Sequence, residues 1–177
     1  IPLAGKNSML QETILRLKGI KNLVDPIIIC GNDHRFLVAE QLKQIDISNP
    51  LIILEPIQKN TAPAVAVAAA YAKKYIDQNS TLLVLPADHL IQDIDAFHRA
   101  IEMGVKQANT KKLVTFGVLP TEPNINYGYI KADINNSKYK SVIEFKEKPN
   151  KKTAQDYLDE GDYFWNSGIF LFKTNSI

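Results

Sequence analysis

Asp88 follows the unbroken apolar run Leu82-Leu83-Val84-Leu85, with Pro86 and Ala87 between them. The run predicts a strand buried on both faces, as in the parallel sheet of an α/β domain. Pro86 cannot donate to a ladder, so the strand stops there. Asp88 then stands just past the carboxyl end of a central strand, where ligands bind in open α/β sheets. A carboxylate in that place either holds a hard cation such as Mg²⁺ beside phosphate oxygens, or closes a turn or caps the next helix. The strand end alone leaves both open.

Other polar residues fall at similar breaks. Lys59-Asn60-Thr61 precedes an alanine-rich segment. Asn60 either caps that helix or shares its free N–H groups with a phosphate or a polar ring. Gly128 has no side chain, which lets a ligand approach the backbone. Glu147 and Lys148 stand side by side at the end of an alternating segment. Neighbours on a strand point to opposite faces, so the two charges need not neutralise each other. Asn166, among Trp165 and other apolar residues, offers two donors and an acceptor, which suits hydroxyl recognition. Taken singly, each of these is also an ordinary local structural feature. His34 and Arg35 read as a solvated first helical turn, and His89 as structural.

The elements that must position these groups alternate. Residues 8–18 read as a helix with Ser8 and Gln11 as a capping box and Gly19 as its stop. Strands are expected at Pro26–Cys30, Leu51–Leu54, Leu82–Leu85 and Leu113–Leu119. Helices are expected from Asn32 or Asp33 to about Ile45, from Ala64 to about Tyr75, and from Asp93 or Asp95 to about Ala108. Phe36, Leu37, Glu40 and Leu42 are expected to give the second helix its apolar side. This β-α order predicts a right-handed doubly wound sheet. Residues 127–132 and 141–147 then read as two antiparallel strands added to it. A helix capped by Asn150 and ended by Gly161 follows, and then a strand over Ile169–Phe172. Thr174, Asn175 or Ser176 reads as the N-cap of a further helix.

The 177 residues suit one domain with a real core. A net charge of +2, with scattered lysines, gives no ground for nucleic-acid binding. The lone Cys30 excludes an intrachain disulfide and suits a reducing compartment. No apolar run reaches membrane-spanning length and no signal peptide opens the chain, so a cytoplasmic protein is expected. The start at Ile1-Pro2-Leu3, without Met, reads as a piece of something longer.

Five stretches occur in fixed order: Glu55-Pro56 with Asn60-Thr61-Ala62-Pro63; Leu85-Pro86-Ala87-Asp88-His89; Tyr127-Gly128-Tyr129-Ile130; Phe145-Lys146-Glu147-Lys148-Pro149; and Trp165-Asn166-Ser167-Gly168. The series resembles the mannose-1-phosphate guanylyltransferases of the sugar-1-phosphate nucleotidylyltransferase family. Pro2-Leu3-Ala4-Gly5 is similar to the family's sequence just after its signature loop. The resemblance implies an α/β fold, a Rossmann-like doubly wound mixed sheet of the nucleotide-diphospho-sugar transferase type, lacking its first strand and signature loop. It implies synthesis of GDP-mannose and pyrophosphate from GTP and mannose 1-phosphate with Mg²⁺.

By the family pattern Asp88 holds the metal and, with Lys148, is catalytic. Glu55, Asn60, Thr61 and Ala62 lie at the nucleotide. Gly128, Tyr129, Glu147, Lys148 and Asn166 lie at the sugar phosphate. A homodimer or a complementing N-terminal fragment is the expected protein partner. The family's Gly-rich, Arg-bearing loop precedes the first residue here, and its second metal-binding Asp lies beyond the last. Lys59 stands where the family often has Arg, which loses bidentate geometry but keeps the charge. These 177 residues alone are therefore expected to turn over negligibly. The alternative is a non-catalytic sugar-nucleotide-binding module or a remnant of a split gene. A metal-dependent glycosyltransferase is disfavoured, because His89 follows Asp88 where a paired aspartate motif is needed.

Overall fold

The computed structural model describes residues 5–47, 49–57, 59–135 and 138–176. The expected family-like start, Pro2 to Ala4, lies outside the described residues. The chain divides into two compact units, Ile1–Val114 with Phe170–Ile177, and Thr115–Ile169.

In the first unit, helix α1 (Met9–Leu15) starts on the expected capping box, Ser8 with Gln11. Strand β1 (Ile27–Gly31) pairs in parallel with β2 (Leu51–Glu55), Ile28 opposite Ile52. Helix α2 (Arg35–Lys43) lies between them in sequence, after a 3₁₀ turn at Asn32–His34. No side chain caps α2; Asn32 instead accepts from Arg35 at 2.6 Å. Its buried residues are Val38 and Leu42, whereas Phe36 and Leu37 are exposed. The expected apolar side was thus displaced, because Leu42 with Val38, one turn earlier, defines the inward face.

Helix α3 (Thr61–Tyr75) leads to β3 (Thr81–Val84), and α4 (Ile94–Ala108) follows. Asp93 caps α4 by accepting from Ala96 N at 2.8 Å. All four β3 residues are half-buried, and β3 pairs antiparallel with the end of β7 (Tyr163–Lys173), Leu83 opposite Leu171. The expectation of a parallel strand buried on both faces is therefore corrected. Among the described residues β3 pairs only with β7, and the parallel pair is β1–β2. Past β7, Thr174 is buried and donates to the carbonyl of Gln78 at 2.8 Å, so it does not begin an α-helix; the chain makes one 3₁₀ turn at Thr174–Ser176.

The second unit contains β5 (Tyr129–Ala132) and β6 (Val142–Lys146), paired antiparallel as expected, with Ile130 opposite Phe145. On its other side β5 pairs with the start of β7, Tyr129 opposite Trp165. Strand β7 thus begins six residues before the expected Ile169, and Trp165–Gly168 lies inside it. Strand β4 (Val114–Val118) also pairs with β7. Helix α5 (Lys151–Glu160) begins at Asn150, which accepts from Thr153 N, and ends at the left-handed Gly161. The core here is aromatic: Tyr129, Tyr157 and Tyr163 with Ala154, and Trp165 against them. Tyr157 and Tyr163 stack with ring centres 3.9 Å apart.

Candidate active site

The first unit holds the nucleotide-side candidates. Asp88 sits in the loop after β3, four residues past its last member, with its side chain 83% exposed. The His89 ring stands beside it, with Nε2 3.7 Å from Asp88 Oδ1. No group of three His, Cys, Asp or Glu side chains gathers among the described residues. A single open carboxylate fits Mg²⁺, which keeps several waters and takes substrate phosphate oxygens with only one or two protein carboxylates. It does not fit a metal that needs a full protein cage.

Asn60 occupies the N-cap position of α3 but makes no capping bond. Its backbone, at φ 64° and ψ −169°, lies in a region that is essentially reserved for glycine. Its side chain makes no cap to the helix N–H groups. The first turn of a 15-residue helix keeps free N–H groups, with Pro63 where no donor is lost. Glu55, Asn60, Thr61 and Ala87, the neighbour of Asp88, line one cavity of about 990 Å³ in this unit. Its remaining walls are largely apolar residues of α1, β1, α3 and β3. Glu55 also bears on Cys30: burial first, then the Glu55 charge, push the Cys30 thiol up from its ordinary value.

The second unit holds the sugar-side candidates, and most of them converge. Asn166 N donates to Gly128 O at 2.8 Å. Asn166 Oδ1 accepts from Gly168 N at 3.1 Å, which leaves its Nδ2 hydrogens free of any protein partner among the described residues. A Cβ on Gly128 would stand 3.5 Å from Glu147 Oε2 and 3.3 Å from the Phe145 ring. Glycine at 128 therefore also serves close packing against β6.

Two expectations are corrected here. Glu147 and Lys148 do not point apart, because β6 ends at Lys146 and both lie in the irregular segment after it. Lys148 Nζ stands 3.8 Å from Glu147 Oε1, with Lys148 in the left-handed region at φ 27°. Tyr129 is fully buried, and its hydroxyl donates to Asn124 O and accepts from Asn124 N, both at 3.0 Å. Its side chain is spent on the protein, so it is not a side-chain ligand for sugar phosphate.

Sequence reasoning missed two groups. Trp165 Nε1 is buried without an acceptor among the described residues, and Tyr127 packs edge-on to its ring at 5.1 Å. Arg16 is buried and donates to the backbone carbonyl of His89, next to Asp88. Trp165 stood inside a motif stretch without a role of its own, and an arginine in the last turn of a short helix reads as solvated.

This architecture and these groups agree with the sequence pattern of one family. The chain belongs to the nucleotidyl transferase family, whose pattern matches residues 1–177. It is 51% identical over 180 residues to a mannose-1-phosphate guanylyltransferase of Salmonella montevideo, covering 98% of this chain and 37% of that protein. It is 47% identical to one from Klebsiella pneumoniae, covering 97% and 37%. The chain thus spans little more than a third of the length of these relatives.

Among solved structures it is similar to a Helicobacter pylori mannose-6-phosphate isomerase, with TM-score 0.85 and 32% identity, covering 98% of this chain and 64% of that one. A Thermus thermophilus mannose-1-phosphate geranyltransferase superposes with TM-score 0.80 and 30% identity, covering 95% and 48%. The mixed α/β fold, with parallel and antiparallel pairing, is that of nucleotidyltransferases. No helix among the described residues is long and apolar enough to cross a membrane.

Proposed function

We propose that the protein carrying this chain makes GDP-mannose and pyrophosphate from GTP and mannose 1-phosphate. The observation that carries this is the uncapped start of α3. Asn60 is held in a strained conformation with its side chain unused, and it shares a cavity wall with Glu55, Thr61 and the neighbour of Asp88. Free helix N–H groups and an unspent amide, in the unit that also carries the exposed Asp88 carboxylate, suit a metal-bound nucleotide. The names of the relatives supply the guanosine and mannose specificity.

The chemistry needs little from the protein beyond position and charge. A phosphate oxygen of mannose 1-phosphate attacks the α-phosphorus of GTP, and the α–β bridging bond breaks to release pyrophosphate. A phosphomonoester has its second pKa near ~6, so the nucleophile is already ionised at neutral pH and no protein base is called for. Mg²⁺ held at Asp88 would screen the phosphate charge when bound. Lys148 offers an exposed cation whose one charged partner among the described residues, Glu147, stands at 3.8 Å, a loose contact that a phosphate can outcompete. Asn166 Nδ2 and Glu147 supply hydrogen bonds to hydroxyls, and fixed in-line approach supplies the rest.

A cytoplasmic location belongs to this reading, since GTP and a reduced Cys30 suit that compartment. A complementing N-terminal segment is favoured over a homodimer as partner, because β1 and β3 each keep an unpaired edge among the described residues. Pyrophosphate release from GTP and mannose 1-phosphate tests the reaction in the full-length protein. Calorimetry with Mg-GTP and with mannose 1-phosphate, each alone, separates an enzyme from a sugar-binding module. Loss of turnover in D88N and K148M is expected, with D88N weakening Mg-GTP and K148M weakening the sugar phosphate. Sugar-phosphate binding with no Mg-GTP binding and no pyrophosphate would refute the assignment.

A further inference from the structure

Arg16 is a buried cation. It is 6% exposed at the end of α1, and no carboxylate pairs with it among the described residues. Burial pulls its guanidinium below its ordinary value, with Glu12 opposing. Burying a charge without a salt bridge is costly, so a retained one calls for an account. The side chain is held on several sides. Its Nη1 donates to the His89 carbonyl at 2.7 Å, across 73 residues of sequence, and its Nη2 donates to Thr13 Oγ1. Thr13 Oγ1 in turn donates to Met9 O at 2.8 Å. The Phe97 ring lies 5.9 Å beneath the guanidinium. Arg16's own carbonyl accepts from His98 Nε2 at 2.6 Å, which ties α1 to α4.

The one tie from this cluster to the loop after β3 lands on the residue next to Asp88. That loop has no other anchor of its kind: among the described residues, no backbone bond outside the regular elements involves residues 86–90. A charge-assisted bond to a carbonyl, made by a side chain already locked by Thr13 and Phe97, fixes a loop more firmly than a neutral one.

From these contacts we infer that Arg16 is a positioning residue, which sets the Pro86–His89 loop so that the Asp88 carboxylate is presented to a metal-bound nucleotide. This rests on the proposed role of Asp88. Arg16 touches no substrate; it acts through His89 O. Lysine can satisfy only part of this arrangement, because it has a single donor head and no planar fork.

The test is a double-mutant cycle in the full-length protein, read as the dissociation constant for Mg-GTP by calorimetry, with melting temperature alongside. R16M keeps the volume and removes the buried charge. It is expected to weaken Mg-GTP about ten-fold, the lower end of what outer partners of metal ligands contribute. In the D88N background the same change is expected to add nothing. R16K is expected to restore part of the loss, and it keeps the test valid should R16M fold poorly. An equal loss from R16M in both backgrounds overturns the inference, since the effect then bypasses Asp88. Unchanged binding in R16M and R16K with weakened binding in D88N overturns the role of Arg16 alone. Unchanged binding in D88N overturns the Asp88 assignment itself, and the inference with it.

Discussion

Replacing Tyr129 by phenylalanine removes one oxygen and two hydrogen bonds, and the result separates two roles for that residue. The ring is fully buried against Tyr157, at 5.2 Å between centres, and stays so in Y129F. What is lost is the pair of 3.0 Å bonds that clamp both backbone groups of Asn124. Each such bond contributes about 1 kcal/mol, so Y129F costs about 2 kcal/mol, less where water reaches the half-buried Asn124. For a chain of this length that is a fall of about 4–8 °C in melting temperature. Trp165 is the sole tryptophan in the sequence and packs on the same aromatic core, so its fluorescence reports the transition in this unit. Calorimetry with mannose 1-phosphate at a temperature well below the transition gives the binding side. Tyr129 also begins the strand that follows Gly128, so a modest loss of sugar-phosphate affinity is expected with the loss of stability. An unchanged melting temperature with weakened binding would refute the structural role and return the hydroxyl to the ligand.

Two further outcomes follow from the first unit. N60G is expected to raise the melting temperature, because relieving a conformation of this kind gains about 1–3 kcal/mol and no capping bond is lost; the same variant is expected to bind Mg-GTP more weakly, and a fall in melting temperature would show that Asn60 caps after all. Cys30 is expected to react with iodoacetamide at pH 8 more slowly than a free thiol, since its raised pKa leaves less thiolate, and E55Q is expected to quicken it by removing the second cause of the shift.

Much of the chain was legible because local chemistry and tertiary need agree. Ser8 with Gln11, Asp93, Asn150 and Gly161 each end a helix where their side chains or backbone preference say. The five motif stretches were legible as a series. Failures came where a neighbour decides. Phe36 and Leu37 look like core, but α2 turns Val38 and Leu42 inward. Glu147 and Lys148 look like a strand pair, but β6 ends at Lys146 and the irregular segment after it brings the charges together. Tyr129 sits in a motif, yet its hydroxyl is consumed by a loop five residues earlier, which no period of two or 3.6 announces. Arg16 is hidden for the same reason, since its partner lies 73 residues away.

The half-burial of β3 has the largest energetic consequence. An apolar run of this kind asks for cover on both sides, but its residues, with Ile27 and Ile29 of β1, line the cavity of about 990 Å³. That space equals roughly thirty waters at about 30 Å³ each, set against walls that offer them few partners. Ala68 on α3 lines the same space and is half-buried. A68L places three more carbons there. At about 0.8 kcal/mol per carbon buried the ceiling is about 2.4 kcal/mol, and the partly open site lowers the expected gain to about 1 kcal/mol. A higher melting temperature and weaker fluorescence of a bound hydrophobic dye are the expected pair of results. Were the cavity closed in solution, or filled by other chain, the added carbons would crowd a packed interior. The melting temperature would then fall, as overpacking by this much typically costs about 1–3 kcal/mol.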